Sequence, residues 1–300
     1  MFILLFLFYS LGDIKDFWDG LNRVSGPTGF EILQLDMDAR INATGGNSLE
    51  KGISSLLLNP AELTSVNSKY CFTFSYRPLF CEMNANFVGF TLKRENEVFG
   101  FYYLGFYSGE IPLQDKTPGV SVASYYAENI IFGLSYARSF GNWSLGGTIK
   151  TLRERIFEVS YLTYSFDLGM SYNFSSSINP FRVDFSFLHL GPKYGPQNFE
   201  KVFRLPLTWH LGFNKKTGSL SFGSSLNKPL NTKLQCTFGG EYRFGDYFVI
   251  RFGKKYNNPL EKGSFGFGLI RNKIALNYSY YLSQIEDFEG AHIFTISIGT

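Results

Sequence analysis

The sequence lacks the features of most enzymes and of helical membrane proteins. It holds no run of about 20 apolar residues, which a transmembrane helix would need. Its three histidines, His189, His210 and His292, have no HxH or HExxH spacing, and no GxSxG element is present. We therefore expect no metal site, no cofactor and no enzymatic activity.

Charge and cysteine are also scarce. The net charge is only +3 and is not clustered, which argues against nucleic-acid binding. The three cysteines have no zinc-type or CxxC spacing. Cys71 and Cys81 flank a predicted hairpin and could form a disulfide, whereas Cys236 belongs to the apolar set of its strand and is interpreted as a small lipid-facing side chain.

Aromatic residues and glycine are abundant instead: aromatics make up 18% of the chain, and there are 31 glycines. From about Tyr70 to the last residue, apolar and aromatic side chains occupy every second position. In residues 233–244, one face carries Leu234, Cys236, Phe238, Tyr242 and Phe244, and the other carries Gln235, Thr237, Glu241 and Arg243. A period of two indicates β-strands, because successive side chains point to opposite faces of a sheet.

Almost every predicted strand has a full apolar face, and no helices remain to cover these faces. A closed antiparallel barrel with lipid outside and water inside satisfies this pattern. We therefore predict an all-β fold, a transmembrane barrel of about 14 strands. The strands are predicted near residues 70–77, 82–93, 97–108, 128–140, 143–153, 161–174, 180–189, 205–214, 219–226, 233–244, 247–253, 264–271, 274–282 and 291–300.

The connections alternate between short and long from the second strand onward. Short ones are predicted at residues 94–96, 141–142, 175–179, 215–218, 245–246 and 272–273, and long ones at 109–127, 154–160, 190–204, 227–232, 254–263 and 283–290. Bacterial outer-membrane barrels have short periplasmic turns and long extracellular loops. The pattern therefore predicts that the protein lies in the outer membrane of a Gram-negative-type bacterium, surrounded by lipids and with both termini in the periplasm. Residues 120–126 could be a strand or part of a loop.

The segment before the barrel divides into two parts. Residues 1–12 are apolar and end in small residues, which favours a signal peptide cleaved before Asp13; a short buried segment is the alternative. Residues 13–69 are too few for an independent domain and are predicted to form a plug in or under the lumen of the barrel, residues 70–300. Within them, residues 49–58 are predicted to form a short amphipathic helix.

Several motifs resemble those of one protein family. Asp38-Ala39-Arg40, Thr44-Gly45-Gly46 and Leu58-Asn59-Pro60-Ala61 resemble the N-terminal signature of FadL-like outer-membrane barrels, and more closely the PorV/PorQ family. Further similar elements follow in the same order, at residues 145–150, 165–172, 188–191, 205–206 and 291–294. Glu62 replaces the glycine that usually follows the NPA motif, and His189 replaces an asparagine.

The plug motif Asn59-Pro60-Ala61 has two interpretations. Pro60 lacks an N–H and restricts Asn59 to an extended conformation, so that it ends the preceding helix while Asn59 caps the next turn. The motif is then a helix stop that seats the plug against the barrel wall. Alternatively, it is a latch whose movement opens a path through the lumen.

The polar faces of the strands carry charges of both signs, including Lys150, Asp167, Asp184, Glu241 and Arg243. In a narrow lumen, such charges are expected to form a structural network. His210 shares its polar face with Thr208 and is predicted to line the lumen.

The family resemblance implies a non-enzymatic role in protein secretion or surface attachment, as in type IX secretion. The partners would be secreted proteins or proteins of the secretion machinery. The candidate partner loop contains Tyr194, Phe199 and Arg204, since aromatic and arginine anchors dominate protein interfaces. The alternative is FadL-like passive transport of hydrophobic small molecules. The predicted lumen faces argue against it, because they consist mostly of Ser, Gly, Asn, Thr and charged residues.

Overall fold

The computed structural model describes residues 24, 28–47, 49, 52–114, 121–174, 181–195, 202–285 and 290–299. The predicted signal peptide and its cleavage position lie outside these residues. None of the helices among them combines the length and the apolar character needed to cross a membrane.

Strands account for most of the described chain. An N-terminal segment precedes them, with one α-helical turn, α1 (Ala39–Ala43), and three 3-10 helices (Glu31–Gln34, Gly52–Leu57 and Pro60–Ser65). The strands are β1 (Tyr70–Pro78), β2 (Asn84–Arg94), β3 (Glu97–Tyr107), β4 (Ile111–Gln114), β5 (Ser121–Tyr125), β6 (Ala127–Phe140), β7 (Trp143–Ile156), β8 (Val159–Phe174), β9 (Phe181–Leu190), β10 (Thr208–Thr217), β11 (Leu220–Pro229), β12 (Gln235–Phe244), β13 (Phe248–Tyr256), β14 (Glu261–Arg271), β15 (Ile274–Ser283) and β16 (His292–Ile298).

Fourteen of these strands form one closed antiparallel barrel, which confirms the predicted fold and strand number. Each barrel strand pairs with its neighbour along the chain, and β3 pairs with β6 because β4 and β5 form a separate hairpin. The barrel closes through β1 and β16, with Phe74 opposite Ile296. Closure leaves no strand edge unpaired, which is what a membrane requires of a sheet.

The two faces of the barrel wall differ as the alternation predicts. In β1, Phe72 and Phe74 are exposed on the outside, whereas Thr73 and Ser75 are buried inside. In β12, Phe238 is 53% exposed and Thr237 only 1%. An apolar exterior around a polar interior is the arrangement of a membrane-spanning barrel.

The connections differ from the prediction at two of the predicted long loops. Long connections such as 191–207 and 284–291 lie at one end of the barrel, called here the long-loop end, and turns such as 141–142 and 272–273 lie at the other, called the short-turn end. The predicted loop at residues 254–263 is reduced to residues 257–260, because β13 and β14 are longer than predicted. The predicted loop at residues 154–160 is wrong. β7 and β8 continue until Ile156 pairs with Val159, leaving only Phe157 and Glu158 in the turn. The charged residues of this stretch suggested a loop, but they are strand residues that pair between β7 and β8.

The structure also answers three further questions from the sequence: the state of residues 120–126, the possible disulfide and the helix at residues 49–58. Residues 121–125 are a strand, β5, but they pair with β4 outside the barrel. Cys71, Cys81 and Cys236 are all free thiols, Cys71 buried and Cys81 exposed, so the possible Cys71–Cys81 disulfide is not formed. The predicted helix at residues 49–58 is a 3-10 helix, Gly52–Leu57.

The N-terminal segment lies inside the barrel, since it contacts the inner wall on several sides. α1 contacts β13, β14, β15 and β16, the helix Gly52–Leu57 contacts β1, β2 and β3, and the helix Pro60–Ser65 contacts β3, β6, β7 and β8. Leu56 and Leu63 from this segment join Phe87 and Tyr102 of the wall in a buried apolar cluster. The hydrophobic core of the protein therefore sits in the lumen.

Candidate functional site

The lumen contains a cavity of about 590 Å³ at the long-loop end. One side of it is formed by the N-terminal segment and by β3, and this side is mainly apolar. The apolar lining residues of this side are Phe30, Ile32, Leu33, Leu35, Met37, Ile41, Leu57, Leu58, Tyr102, Leu104 and Phe106; Leu188, Pro229, Pro259 and Leu260 add apolar lining from other elements. The volume of the cavity and its apolar lining are both usual for small-molecule sites.

The rest of the cavity lining is mainly polar. It is built from the inner faces of β6, β7 and β9–β13 and from the connections after β11 and β13. The polar lining residues from these elements are Asn129, Lys150, Glu154, His189, Thr208, His210, Asn227, Asn231, Thr232, Gln235, Thr237, Lys255 and Asn258. The cavity therefore has one apolar and one hydrogen-bonding wall.

The first buried charge cluster of the cavity wall joins β7, β8 and β9. The Lys150 ammonium lies 2.7 Å from Asp167 Oδ1 and 2.7 Å from His189 Nδ1. The backbone N–H of His189 donates to the same Asp167 oxygen at 2.8 Å. His189 has a positive φ of 64°, and the β8–β9 register shifts beside it. The predicted structural role of Lys150 and Asp167 in the lumen agrees with this geometry.

A second cluster fixes the N-terminal segment to the wall. Lys255 of β13 forms ion pairs with Asp36 and with Glu261 of β14. Arg77 of β1 lies 2.8 Å from Glu261 Oε1 and donates to the carbonyl oxygen of Asp36 at 2.7 Å. Buried charges of both signs are thereby paired, as burial requires.

His210 lines the cavity, as predicted, and belongs to a third polar group. Its Nε2 lies 3.2 Å from Asp184 Oδ1, and its Nδ1 contacts the side-chain oxygen of Asn227. Asn214 donates to the other oxygen of Asp184 at 3.0 Å. Of the remaining predicted residues, Glu241 pairs with Arg251 at 2.9 Å and with the partly exposed Arg243 at 3.7 Å.

The plug motif lies deep in the lumen, between the N-terminal segment and the wall. The Asn59 side chain caps the helix Pro60–Ser65 by accepting from Ala61 N at 3.0 Å, and its amide donates to Met170 O at 3.3 Å. Pro60 begins this helix, and the preceding helix has already ended at Leu57.

Two wall glycines make room for the motif. A Cβ at Gly146 would lie 2.6 Å from Ala61 N, and one at Gly169 would lie 2.0 Å from Asn59 Oδ1. Only glycine permits so close an approach of wall and plug. Wall and plug are therefore in direct contact at this motif.

The candidate partner loop is placed differently from the prediction. Tyr194 is only 8% exposed: its ring packs 5.3 Å from that of Phe30, and its hydroxyl donates to Glu154 at 3.4 Å. Burial and the Glu154 carboxylate raise the pKa of this hydroxyl. Arg204 is exposed, and Phe199 lies outside the described residues. Tyr194 is thus packed against Phe30 and Glu154, two residues of the cavity lining, and is not an exposed anchor.

Sequence reasoning missed the apolar lining from residues 28–37. A signal is present in the apolar content of the stretch, since Phe30, Ile32, Leu33, Leu35 and Met37 are apolar. The strict alternation of the barrel strands begins only at Tyr70. Among the described residues, no group of three or more histidine, cysteine, aspartate or glutamate side chains is arranged to hold a metal ion.

Comparison with known proteins gives the fold and no closer relationship. No protein-family model matches the sequence, and no curated protein matches it. Among solved structures, the Pseudomonas putida toluene transporter TodX has a TM-score of 0.67 at 11% identity, with 89% of this chain and 99% of that chain covered. The Ralstonia pickettii toluene transporter TbuX has a TM-score of 0.59 at 11% identity, with 88% and 97% covered. A deltaS2 mutant described as the TodX monoaromatic hydrocarbon channel has a TM-score of 0.60 at 11% identity, with 86% and 96% covered.

The likeness extends over nearly the whole length of both chains, so the fold is that of the TodX and TbuX barrels. These comparisons do not show membership of the PorV/PorQ family. A 14-stranded transmembrane barrel belongs to the bacterial outer membrane.

Proposed function

We propose that the protein is a channel that binds small hydrophobic molecules and passes them across the outer membrane. The observation that carries this proposal is the lumen cavity with its apolar wall of Phe30, Ile32, Leu33, Leu35 and Met37. An apolar molecule entering it from water gains about 0.8 kcal/mol for each buried CH₂ group.

Polar strand faces do not make the whole cavity polar. The strand residues that face inward are indeed mostly polar. The N-terminal segment covers part of them and presents its own apolar side chains to the cavity. Hydrophobic transport is the alternative that the sequence left open, and this lining favours it.

The structural neighbours support the same proposal. TodX and TbuX are described as toluene transporters, and both share the barrel over nearly their full length. At 11% identity they share the fold alone, so the ligand of this chain is argued from its own cavity. Oxygen and nitrogen groups on the polar part of the lining can form hydrogen bonds with ligands that are not pure hydrocarbons.

A role in protein secretion or surface attachment, the PorV/PorQ type of function, is the second candidate. One observation favours it: the tip of the β7–β8 hairpin exposes Ile156, Phe157 and Val159 at the long-loop end. Exposed apolar side chains of this kind mark contact surfaces for protein or lipid. The buried position of Tyr194 counts against the loop originally considered for this role.

Saturable binding of labelled toluene and oleate tests the channel proposal. The purified barrel in lipid nanodiscs should bind at least one of them, after subtraction of partitioning into empty nanodiscs. Leu33→Trp should fill part of the cavity and weaken binding about tenfold or more, whereas Leu33→Met conserves volume and should have little effect.

The alternatives separate in the same experiment. If the wild-type barrel binds neither molecule, the channel proposal is wrong. If Phe157→Asp releases a surface protein from cells while Leu33→Trp changes nothing, the secretion role is supported instead.

A further inference from the structure

The charges around the cavity disfavour an anionic ligand. Both ammonium groups of the lining already have carboxylate partners: Lys150 pairs with Asp167, and Lys255 with Asp36 and Glu261. A second carboxylate arriving with a ligand would have to compete with these buried pairs. Such pairs are costly to break, because each leaves an uncompensated charge in a poorly solvated site.

The remaining carboxylates of the lining add to this effect. Besides Asp36, the lining contains Glu31 and Glu154, so that it holds three carboxylates against two ammonium groups. Glu154 accepts a hydrogen bond from the Tyr194 hydroxyl, and Glu31 accepts two from the Asn231 side chain, at 3.1 and 3.0 Å. Neither Glu31 nor Glu154 has a cationic partner among the ion pairs of the described residues. An anion would therefore meet like charge at short range.

The lining also offers unused hydrogen-bond acceptors. Asn129 Oδ1 and Asn231 Oδ1 are both buried, and neither has a hydrogen-bond partner among the residues that the structure describes. Both residues line the cavity. Asn129 on β6 lies directly opposite Glu154 on β7, so an amide oxygen and a carboxylate occur on the same patch of wall. A buried acceptor without a partner is unfavourable and is stabilised by a ligand that donates to it.

We propose that the cavity selects uncharged hydrophobic molecules that carry one hydroxyl group, and that it discriminates against carboxylates of the same size. The apolar body contacts the wall formed by residues 30–37 and by β3. The hydroxyl donates to Asn129 Oδ1, and the neighbouring Glu154 carboxylate repels an anionic ligand. This inference rests on the proposed function and adds the chemical class of the ligand.

Three ligands of nearly equal shape test the selectivity: toluene, p-cresol and 4-methylbenzoate. Their binding to the full-length barrel in nanodiscs is measured by equilibrium dialysis at pH 7 against empty nanodiscs. We expect p-cresol to bind about two- to tenfold more tightly than toluene, which is the gain of one hydrogen bond. We expect 4-methylbenzoate to bind most weakly of the three.

Three substitutions connect the preference to the patch. Asn129→Leu keeps the size of the side chain but removes the acceptor; p-cresol should then bind no better than toluene, while toluene binding is retained. Asn129→Asp keeps an acceptor oxygen and should preserve the preference for p-cresol. Glu154→Gln can still accept from Tyr194 and should improve binding of 4-methylbenzoate relative to p-cresol.

The outcomes distinguish this inference from the proposed function. If none of the three ligands, nor oleate, binds saturably, the channel proposal itself fails. If toluene binds but p-cresol binds no better, or if 4-methylbenzoate binds most tightly, the channel remains and the selectivity proposed here is overturned.

Discussion

At the scale of single residues, several wall glycines leave room for the N-terminal segment in the lumen. Gly146 and Gly169 approach the plug motif, and Gly239 and Gly253 approach Thr44 and its neighbour Gly45. Each of these glycines takes an inward-facing position in its strand, where the neighbouring inward positions carry side chains. Their glycine identity is therefore explained by what lies opposite them inside the barrel.

Substitution of Gly146 should separate the plug from the wall. Gly146→Val would place Cβ 2.6 Å from Ala61 N, and overpacking of this kind costs typically about 1–3 kcal/mol. The matched variant Gly147→Val is on the same strand but meets nothing closer than 3.5 Å. Urea unfolding in lipid vesicles should show a lower midpoint for Gly146→Val only. Equal midpoints for both variants would contradict the seating of the plug on β7.

The two faces of β12 give a second prediction. Phe238→Arg puts a charge on the exterior and should cost about 2–4 kcal/mol if it lies near the bilayer midplane. Thr237→Arg points into the lumen, where the side chain can extend into the cavity that Thr237 lines, and should be much milder. Refolding yield and urea stability in vesicles measure the difference. Similar losses for the two variants would invalidate the assignment of the faces.

At the scale of elements, the sequence predicts strands better than it predicts how they end. The alternation places all fourteen barrel strands within a few residues, because one face meets lipid and the other does not. It failed at residues 154–160, where β7 and β8 continue to Ile156 and Val159 and where charged side chains do not show the alternation of a lipid-facing strand. Strand ends outside the membrane lack the environment that produces the pattern.

The site was less predictable than the wall for a related reason. Tyr194 is buried by Phe30, a residue from a distant part of the chain, and no local pattern records that contact. The glycine contacts and ion pairs that position residues 28–66 likewise join the segment to strands far away in sequence. Composition could reveal a plug, but only the assembled lumen reveals its apolar side.

The orientation of the barrel is testable with a native cysteine. Cys81 is exposed in the connection between β1 and β2 at the long-loop end. It should react with a membrane-impermeant maleimide on intact cells. In a Cys81→Ser background, Thr217→Cys at the short-turn end should react only after the outer membrane is permeabilised. The opposite labelling pattern would mean that the long loops face the periplasm.

The two interpretations of the plug motif differ in whether the helix Pro60–Ser65 must move. Thr64 Oγ1 and Ser144 Oγ lie 2.9 Å apart, so the double variant Thr64→Cys/Ser144→Cys can be oxidised to tie this helix to β7. If the motif is a helix stop, oxidised and reduced samples should take up toluene at the same rate. If it is a latch, uptake should stop on oxidation and return on reduction.

At the scale of the whole molecule, closure of the wall through β1 and β16 determines how the protein behaves in detergent. A closed barrel resists SDS until it is heated, because no strand edge is available for unzipping. The unheated protein should therefore migrate faster on SDS gels than the boiled protein. Identical migration would argue strongly against a closed wall.

The position of the N-terminal segment also constrains the order of assembly. α1 precedes every barrel strand in the chain, yet it contacts β13, β14, β15 and β16, and Ala39 N donates to Thr295 of β16 at 2.9 Å. Helices later in the segment contact β1–β3 and β6–β8 instead. α1 can therefore reach its final contacts only when the last strands of the chain have formed. We expect closure of the barrel and enclosure of the N-terminal segment to occur together and late in folding. A barrel that closed before α1 was in place would leave the N-terminal segment outside the lumen.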